Sequence, residues 1–164
     1  MRLTEQVHLK LMEVIRSGDT VIDATAGNGH DALALAKLVG PSGKVIIIDV
    51  QTAAIEATRD RLMEAKELVQ CELIEGDHAE VLQELLEQHR ESVRAITFNL
   101  GYLPGAEKTL TTKPETTVRA LDAAISLLRP GGILLVTAYR GHAGGMSEAQ
   151  EVEKWMLSLR SDEW

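Results

Sequence analysis

Cysteine is almost missing. Cys71 is the only one in 164 residues, so no intramolecular disulfide can form, and the Cys/His spacings of a zinc site are absent. A reducing compartment is the expected setting. Basic residues are outnumbered, 17 Lys and Arg against 25 Asp and Glu, and the formal charge of −8 argues against a surface coated for non-specific nucleic-acid binding. A small local basic surface remains compatible with it. Long apolar runs are lacking too: VIIIDV and ILLVTA stop after a few residues, well short of a membrane span. The amino-terminal MRLTEQVHLKLMEV mixes charges with apolar residues and has no continuous apolar core of a signal peptide. A soluble, cytoplasmic protein is therefore expected. Aromatic residues make up only 3% of the chain, which gives weight to where they fall.

What is present is a strict alternation of two periodicities, in a length that suits a single domain over 1–164. Val7, Leu11, Val14 and Ile15 recur at helical spacing over 4–16, and Ser17-Gly18-Asp19 stops that helix. A short strand at 20–24 leads into a glycine loop and a helix at 31–39, closed by Gly40-Pro41-Ser42-Gly43. Strands at 44–49, 69–74, 93–98 and 133–138 follow, separated by helices at 52–65, 79–89 and 114–128, the last ended by Arg129-Pro130-Gly131-Gly132. A final helix spans 147–159. Such alternation predicts an α/β, Rossmann-like fold with a mostly parallel sheet and helices on both faces, because each crossover must cover a face. VIIID, AITF and ILLV are continuously apolar, as strands buried on both sides should be. In sheets of this kind ligands bind beyond the carboxyl ends of the strands, where strand order reverses.

The strand tips carry chemistry. The first ends in DATAGNGHD, Asp23 to Asp31, where Gly27 and Gly29 permit a tight turn and let backbone N–H groups approach a ligand at a helix N-terminus. The second ends in Asp49, placed to accept from two ribose hydroxyls, with Gln51 behind it. The third ends in Glu75-Gly76-Asp77-His78, where an acid can accept from the exocyclic amine of adenine and His78 can pack on the base. An adenosine moiety is thus expected across three strand ends. Gly27-x-Gly29-x-x-Ala32 also fits a relaxed dinucleotide fingerprint, so an NAD-dependent oxidoreductase stays open. Asp23 weighs against it: a carboxylate at the strand tip repels a pyrophosphate and attracts the ammonium group of S-adenosylmethionine. The plainer role for Asp23 is to cap the glycine turn.

At the fourth tip, Asn99-Leu100-Gly101-Tyr102 has the Asn-x-x-aromatic spacing of enzymes that methylate amino groups. Methyl transfer from a sulfonium is an in-line displacement, so the acceptor lone pair must face the methyl while its hydrogens are held elsewhere. The Asn99 side-chain oxygen and the Leu100 carbonyl can hold them, and Tyr102 offers a face for a planar base or a developing cation. Tyr139, Arg140 and His142 follow the fifth strand, and Tyr139 or His142 could accept the amine proton. Both tyrosines and the single phenylalanine fall at the ends of strands four and five, a candidate substrate platform. His8 and His89 read as surface residues, and Trp155 as core.

Taken together, DATAGNGHD, IDVQ, EGDHAE, FNLGYLPGAEK and AYRGHAGG resemble the small S-adenosylmethionine-dependent methyltransferases that carry the name rRNA methylase. Characterised members of that family act on tRNA, methylating the 5-aminomethyl group of the wobble 2-thiouridine to 5-methylaminomethyl-2-thiouridine. The resemblance covers nearly the whole chain. It implies cofactor contacts at Asp23, Thr25, Gly27, Asn28, Gly29, Asp31, Asp49, Gln51, Asp77 and His78. It implies an amine-facing site at Asn99, Leu100, Gly101 and Tyr102, the first three also bordering the cofactor, with Tyr139 and His142 opposite. Methyltransferases of this fold add a sixth and a seventh strand, whereas this chain stops at Trp164 just after a helix, so those strands are expected to be missing from it.

The expected partner is tRNA, at its anticodon region, contacted by local residues such as Lys108, Lys113 and Arg140, with no metal and no membrane. Monomer and homodimer are both open. The competing readings are the same cofactor acting on rRNA or a small-molecule amine, an NAD-dependent oxidoreductase, and a nucleotide-binding module without chemistry.

Overall fold

The β-branched run KVIIID forms β2 (Lys44–Asp49), since Val and Ile suit a pleated surface buried on both sides. Around it the computed structural model, which describes residues 2–101, 114–141 and 144–159, arranges β1 (Thr20–Asp23), β3 (Cys71–Glu75), β4 (Val93–Leu100) and β5 (Leu128–Ala138). They form one sheet of order β3-β2-β1-β4-β5, with every pair parallel. The crossovers contain α2 (His30–Val39), α3 (Thr52–Glu64), α4 (His78–His89) and α5 (Pro114–Leu127), while α1 (Leu3–Val14) precedes the sheet and α6 (Gly145–Ser158) follows it. Strand order reverses between β1 and β4, which defines the crevice for a ligand.

Alternation along the strands assigns side chains to faces. Val21, Val45, Ile47 and Ala95 join α1, α2 and α3 through Leu11, Ile15, Leu35 and Leu62. Ile22, Ile46, Ile48, Ile96, Phe98 and Leu100 join α4, α5 and α6 through Leu82, Leu121 and Trp155. Each fully buried Ile or Leu of these two cores contributes about 1.5–3 kcal/mol. By the same alternation Asp23, Asp49 and Asn99 turn toward the α1–α3 side. In register, Asp23 lies opposite Ile47 and Thr97, so Asp49 and Asn99 each stand two residues beyond it on the flanking strands. Trp155 is core as expected, its indole N–H donating to Asp122 Oδ1 at 2.8 Å.

Three strand boundaries differ from expectation by two residues or more. β4 continues through Asn99 and Leu100 instead of ending at Phe98. β3 begins at Cys71, because Cys71 N–H first closes a turn on the Leu68 carbonyl. Arg129-Pro130-Gly131-Gly132 is a bulge inside β5: Leu128 pairs with Val93 and Ile133 with Ala95. The Arg94 guanidinium spans the bulge, donating to the Gly131 carbonyl and pairing with Asp19.

Candidate functional site

Asp23 occupies the tip of the central strand and is 0% exposed. Its Oδ1 accepts from the Thr25 N–H at 3.2 Å, the turn-capping contact expected of an Asp here. Its Oδ2 has no donor, and is the single buried side-chain polar atom left so among the described residues. Burial pushes its carboxyl up to about 8, helped by the neighbouring Asp31 and, less, Asp49.

Two neighbouring contacts organise the fourth tip. Asn99 N–H donates to Thr25 Oγ1 at 2.6 Å, extending the β1–β4 ladder beyond the Ala24 N–H to Thr97 carbonyl bond. Asn99 Nδ2 donates to Asp31 Oδ2 at 2.6 Å. A carboxylate only accepts, so the amide must present its NH2 to Asp31 and turn Oδ1 elsewhere. The other Asp31 oxygen meets His8 Nε2 at 2.6 Å. His8 therefore departs from its expected surface role: the buried face of α1 brings it over the start of α2.

The glycine loop is held from α3. Thr58 Oγ1 donates to the Gly27 carbonyl at 3.3 Å and Arg61 Nε to the Asn28 carbonyl at 2.6 Å. Gly29 has φ +76, and a Cβ there would come within 2.9 Å of the Thr58 backbone, so the residue serves a left-handed turn and a close helix approach together. The expectation that the glycine N–H groups face a ligand needs correction. Gly27 N–H donates to Asp49 Oδ2 at 3.0 Å and Gly29 N–H to the Ala26 carbonyl at 2.9 Å. Asp49 Oδ1 accepts from Gln51 N–H at 2.9 Å, so each oxygen of this carboxylate has a backbone donor.

Asp77 caps α4, accepting from Ala79 N–H at 2.8 Å through one oxygen. The His78 ring is buried and meets Phe98 edge-on, with centroids 5.6 Å apart. Burial lowers its pKa. Phe98 is thus a packing partner of the His78 ring on the core side. Phe98 itself is 1% exposed and belongs to the core on the α4–α6 side, so it is no part of a substrate platform. Tyr139 is 47% exposed, and Arg140 beside it is also exposed. Tyr139 N–H donates to the Leu100 carbonyl at 3.2 Å, which ties the fourth tip to the fifth, with Gly101 next in the chain. Tyr102, Lys108, Lys113 and His142 lie outside the described residues.

The structure thus brings together Asp23, Thr25, Asp31 and Asn99, and links Gly27, Asp49 and Gln51. Sequence reasoning missed His8, Thr58 and Arg61, which reach the site from helices of ordinary pattern; no local motif marks them. Among the described residues no group of three or more His, Cys, Asp or Glu side chains could hold a metal ion, and no helix is long and apolar enough to cross a membrane.

Residues 45–164 match the family model described as "Putative rRNA methylase". The chain is 40% identical, over 99% of its own length, to the chloroplastic tRNA (mnm5s2U34)-methyltransferase of Arabidopsis thaliana, and spans 62% of that relative. A solved structure described as a putative rRNA-methylase from Clostridium thermocellum superposes with a TM-score of 0.91 at 36% identity, covering 99% of this chain and 85% of that one. Another, described as a putative methyltransferase from Streptococcus mutans in complex with SAH, gives 0.85 at 32% identity over the same shares.

Proposed function

The chain belongs to the rRNA methylase family and has its class I methyltransferase fold, and we propose that it is an S-adenosylmethionine-dependent N-methyltransferase. Its substrate in this reading is the 5-aminomethyl group of a wobble 2-thiouridine in tRNA, converted to 5-methylaminomethyl-2-thiouridine. The observation that carries the reading is Asp23 Oδ2, buried and without a donor. An ammonium group favours the ionised carboxylate and donates to it, so the amino-acid end of S-adenosylmethionine fits this tip. A pyrophosphate would add like charge to a cluster of Asp23, Asp31 and Asp49, which disfavours NAD. Similarity to the Arabidopsis enzyme supports the choice of tRNA.

Asp23 would hold the ammonium group, Asp49 and Gln51 the ribose, and Asp77 with His78 the adenine end, on the loop formed by Thr25, Gly27, Asn28, Gly29 and Asp31. S-adenosylmethionine supplies, when bound, an electrophilic methyl on a sulfonium. The chain's own part is to orient the acceptor. Asn99 Oδ1, turned away from Asp31, accepts one amine hydrogen, and the second lone pair of the Leu100 carbonyl accepts another, which aims the nitrogen lone pair. A protonated amine has no lone pair, so a proton must leave first; Tyr139 and His142 are the acceptors in this reading. Tyr102 supports the base, and Lys108 and Arg140 meet tRNA phosphates near the anticodon.

In this reading the 164 residues act as one catalytic unit in the cytoplasm, as a monomer or a homodimer. Mass spectrometry of tRNA nucleosides from cells lacking the protein tests the substrate. Accumulation of 5-aminomethyl-2-thiouridine supports the reading. An unchanged tRNA profile accompanied by loss of an rRNA methyl group would move the substrate to rRNA.

A further inference from the structure

We propose that His8 is a positioning residue for methyl transfer, acting through Asp31 on Asn99; this rests on the N-methyltransferase reading above. His8 Nε2 lies 2.6 Å from Asp31 Oδ1, and Asp31 Oδ2 lies 2.6 Å from Asn99 Nδ2. One carboxylate thus accepts from two side chains on two different elements, α1 and β4, and both of its oxygens are fixed.

Each link has a consequence. Asn99 is at the acceptor tip, and its amide can be used in two orientations that differ by exchange of oxygen and NH2. Only one of them presents an acceptor to the amine, and Asp31 selects it by demanding an N–H donor. Asp31 can do so only while its carboxylate plane is held: it is almost buried, with a side-chain exposure of 9%, and has the Asp23 carboxyl as an electrostatic neighbour. Without the His8 N–H, Asp31 Oδ1 loses its hydrogen-bond donor from α1, and the carboxylate is free to rotate away from Asn99. His8 is able to keep this contact because Leu11 and Ile15 anchor α1 in the core while the imidazole stays at the helix edge, 31% exposed. The Nε2 atom, with its hydrogen, is the functional part. Asp31 as acceptor fixes the tautomer, or requires the doubly protonated ring.

Substitution by a residue that keeps a donor at the Nε2 position should therefore preserve the effect, and an apolar residue of similar size should not. The comparison is wild type, His8→Gln and His8→Leu, assayed on tRNA carrying 5-aminomethyl-2-thiouridine, with S-adenosylhomocysteine affinity measured by calorimetry. The expected outcome is a fall in kcat of about tenfold or more for His8→Leu, in line with the sensitivity of displacement to misplaced groups. KM for tRNA and the affinity for S-adenosylhomocysteine should stay within about twofold, and His8→Gln should recover most of kcat. An independent readout is the side-chain NH2 resonance pair of Asn99 in a nitrogen-15 spectrum of the folded protein: it should shift in His8→Leu and return toward the wild-type position in His8→Gln. Unchanged kcat and unchanged Asn99 resonances in His8→Leu would overturn the proposal. So would equal losses of kcat in both variants, or a loss confined to cofactor affinity. A wild-type protein inactive on every tRNA would instead count against the methyltransferase reading, and the resonance experiment would still decide whether His8 orients Asn99.

Discussion

A buried carboxyl that lacks a donor makes a protein sensitive to pH in a definite direction. Asp23 has its pKa raised to about 8 in the fold, against about 3.9 in an unfolded chain. Below the lower value both states are protonated and the stability is whole. As pH rises toward about 8 the unfolded chain gives up its proton while the folded one retains it, so folding stability falls across that window. Urea unfolding of the cofactor-free protein should show this decline, and Asp23→Asn should flatten it while binding S-adenosylhomocysteine far more weakly. Asn99→Ala should lower kcat by about tenfold or more with cofactor affinity nearly unchanged, measured by single-turnover methylation and calorimetry. Asp23, the glycines and Asn99 were legible in the sequence because they sit in contiguous strand-tip motifs. His8, Thr58 and Arg61 were not, since each arrives from a helix whose local pattern reports only amphipathicity. Phe98 was misplaced by proximity to the tip, although its alternation with Ile96 and Leu100 assigns it to the core.

Among the elements, the helices and strands follow the periodicity closely, and the differences arise where turn chemistry and pairing compete. Arg-Pro-Gly-Gly has the composition of a loop, yet the pairing of Leu128 with Val93 draws it into β5 as a bulge. That pairing, and the Arg94 bonds that secure it, join residues far apart in the chain and leave no local trace. The loop between β1 and α2 shows a second such dependence, because α3 decides its shape. Gly29→Ala would place a methyl against Thr58 at a positive φ, and should destabilise the fold by about 1–3 kcal/mol in urea titrations. Thr25→Val removes the acceptor of the Asn99 N–H and should cost about 1–3 kcal/mol, with turnover falling as the fourth tip loosens.

For the molecule as a whole, the parallel sheet gathers five strand tips at one end, and the reversal between β1 and β4 puts a buried acid and an oriented amide side by side. The fold class was readable from alternation alone; the pairing of Asp31 with Asn99 across the reversal was not, since strand order is a property of the assembled sheet. With a net charge of −8, the proposed binding of tRNA would depend on few basic contacts. The dependence of tRNA affinity on salt should be shallow, and Arg140→Ala should reduce it further while leaving cofactor affinity unchanged. The most direct test of the central claim is methyl transfer by the purified protein from labelled S-adenosylmethionine to tRNA bearing 5-aminomethyl-2-thiouridine, followed by nucleoside mass spectrometry. The result expected is stoichiometric conversion to 5-methylaminomethyl-2-thiouridine, slowed by about tenfold or more when Asn99 is replaced by Ala. An unmodified wobble nucleoside, with the label recovered in another RNA or in none, would contradict it.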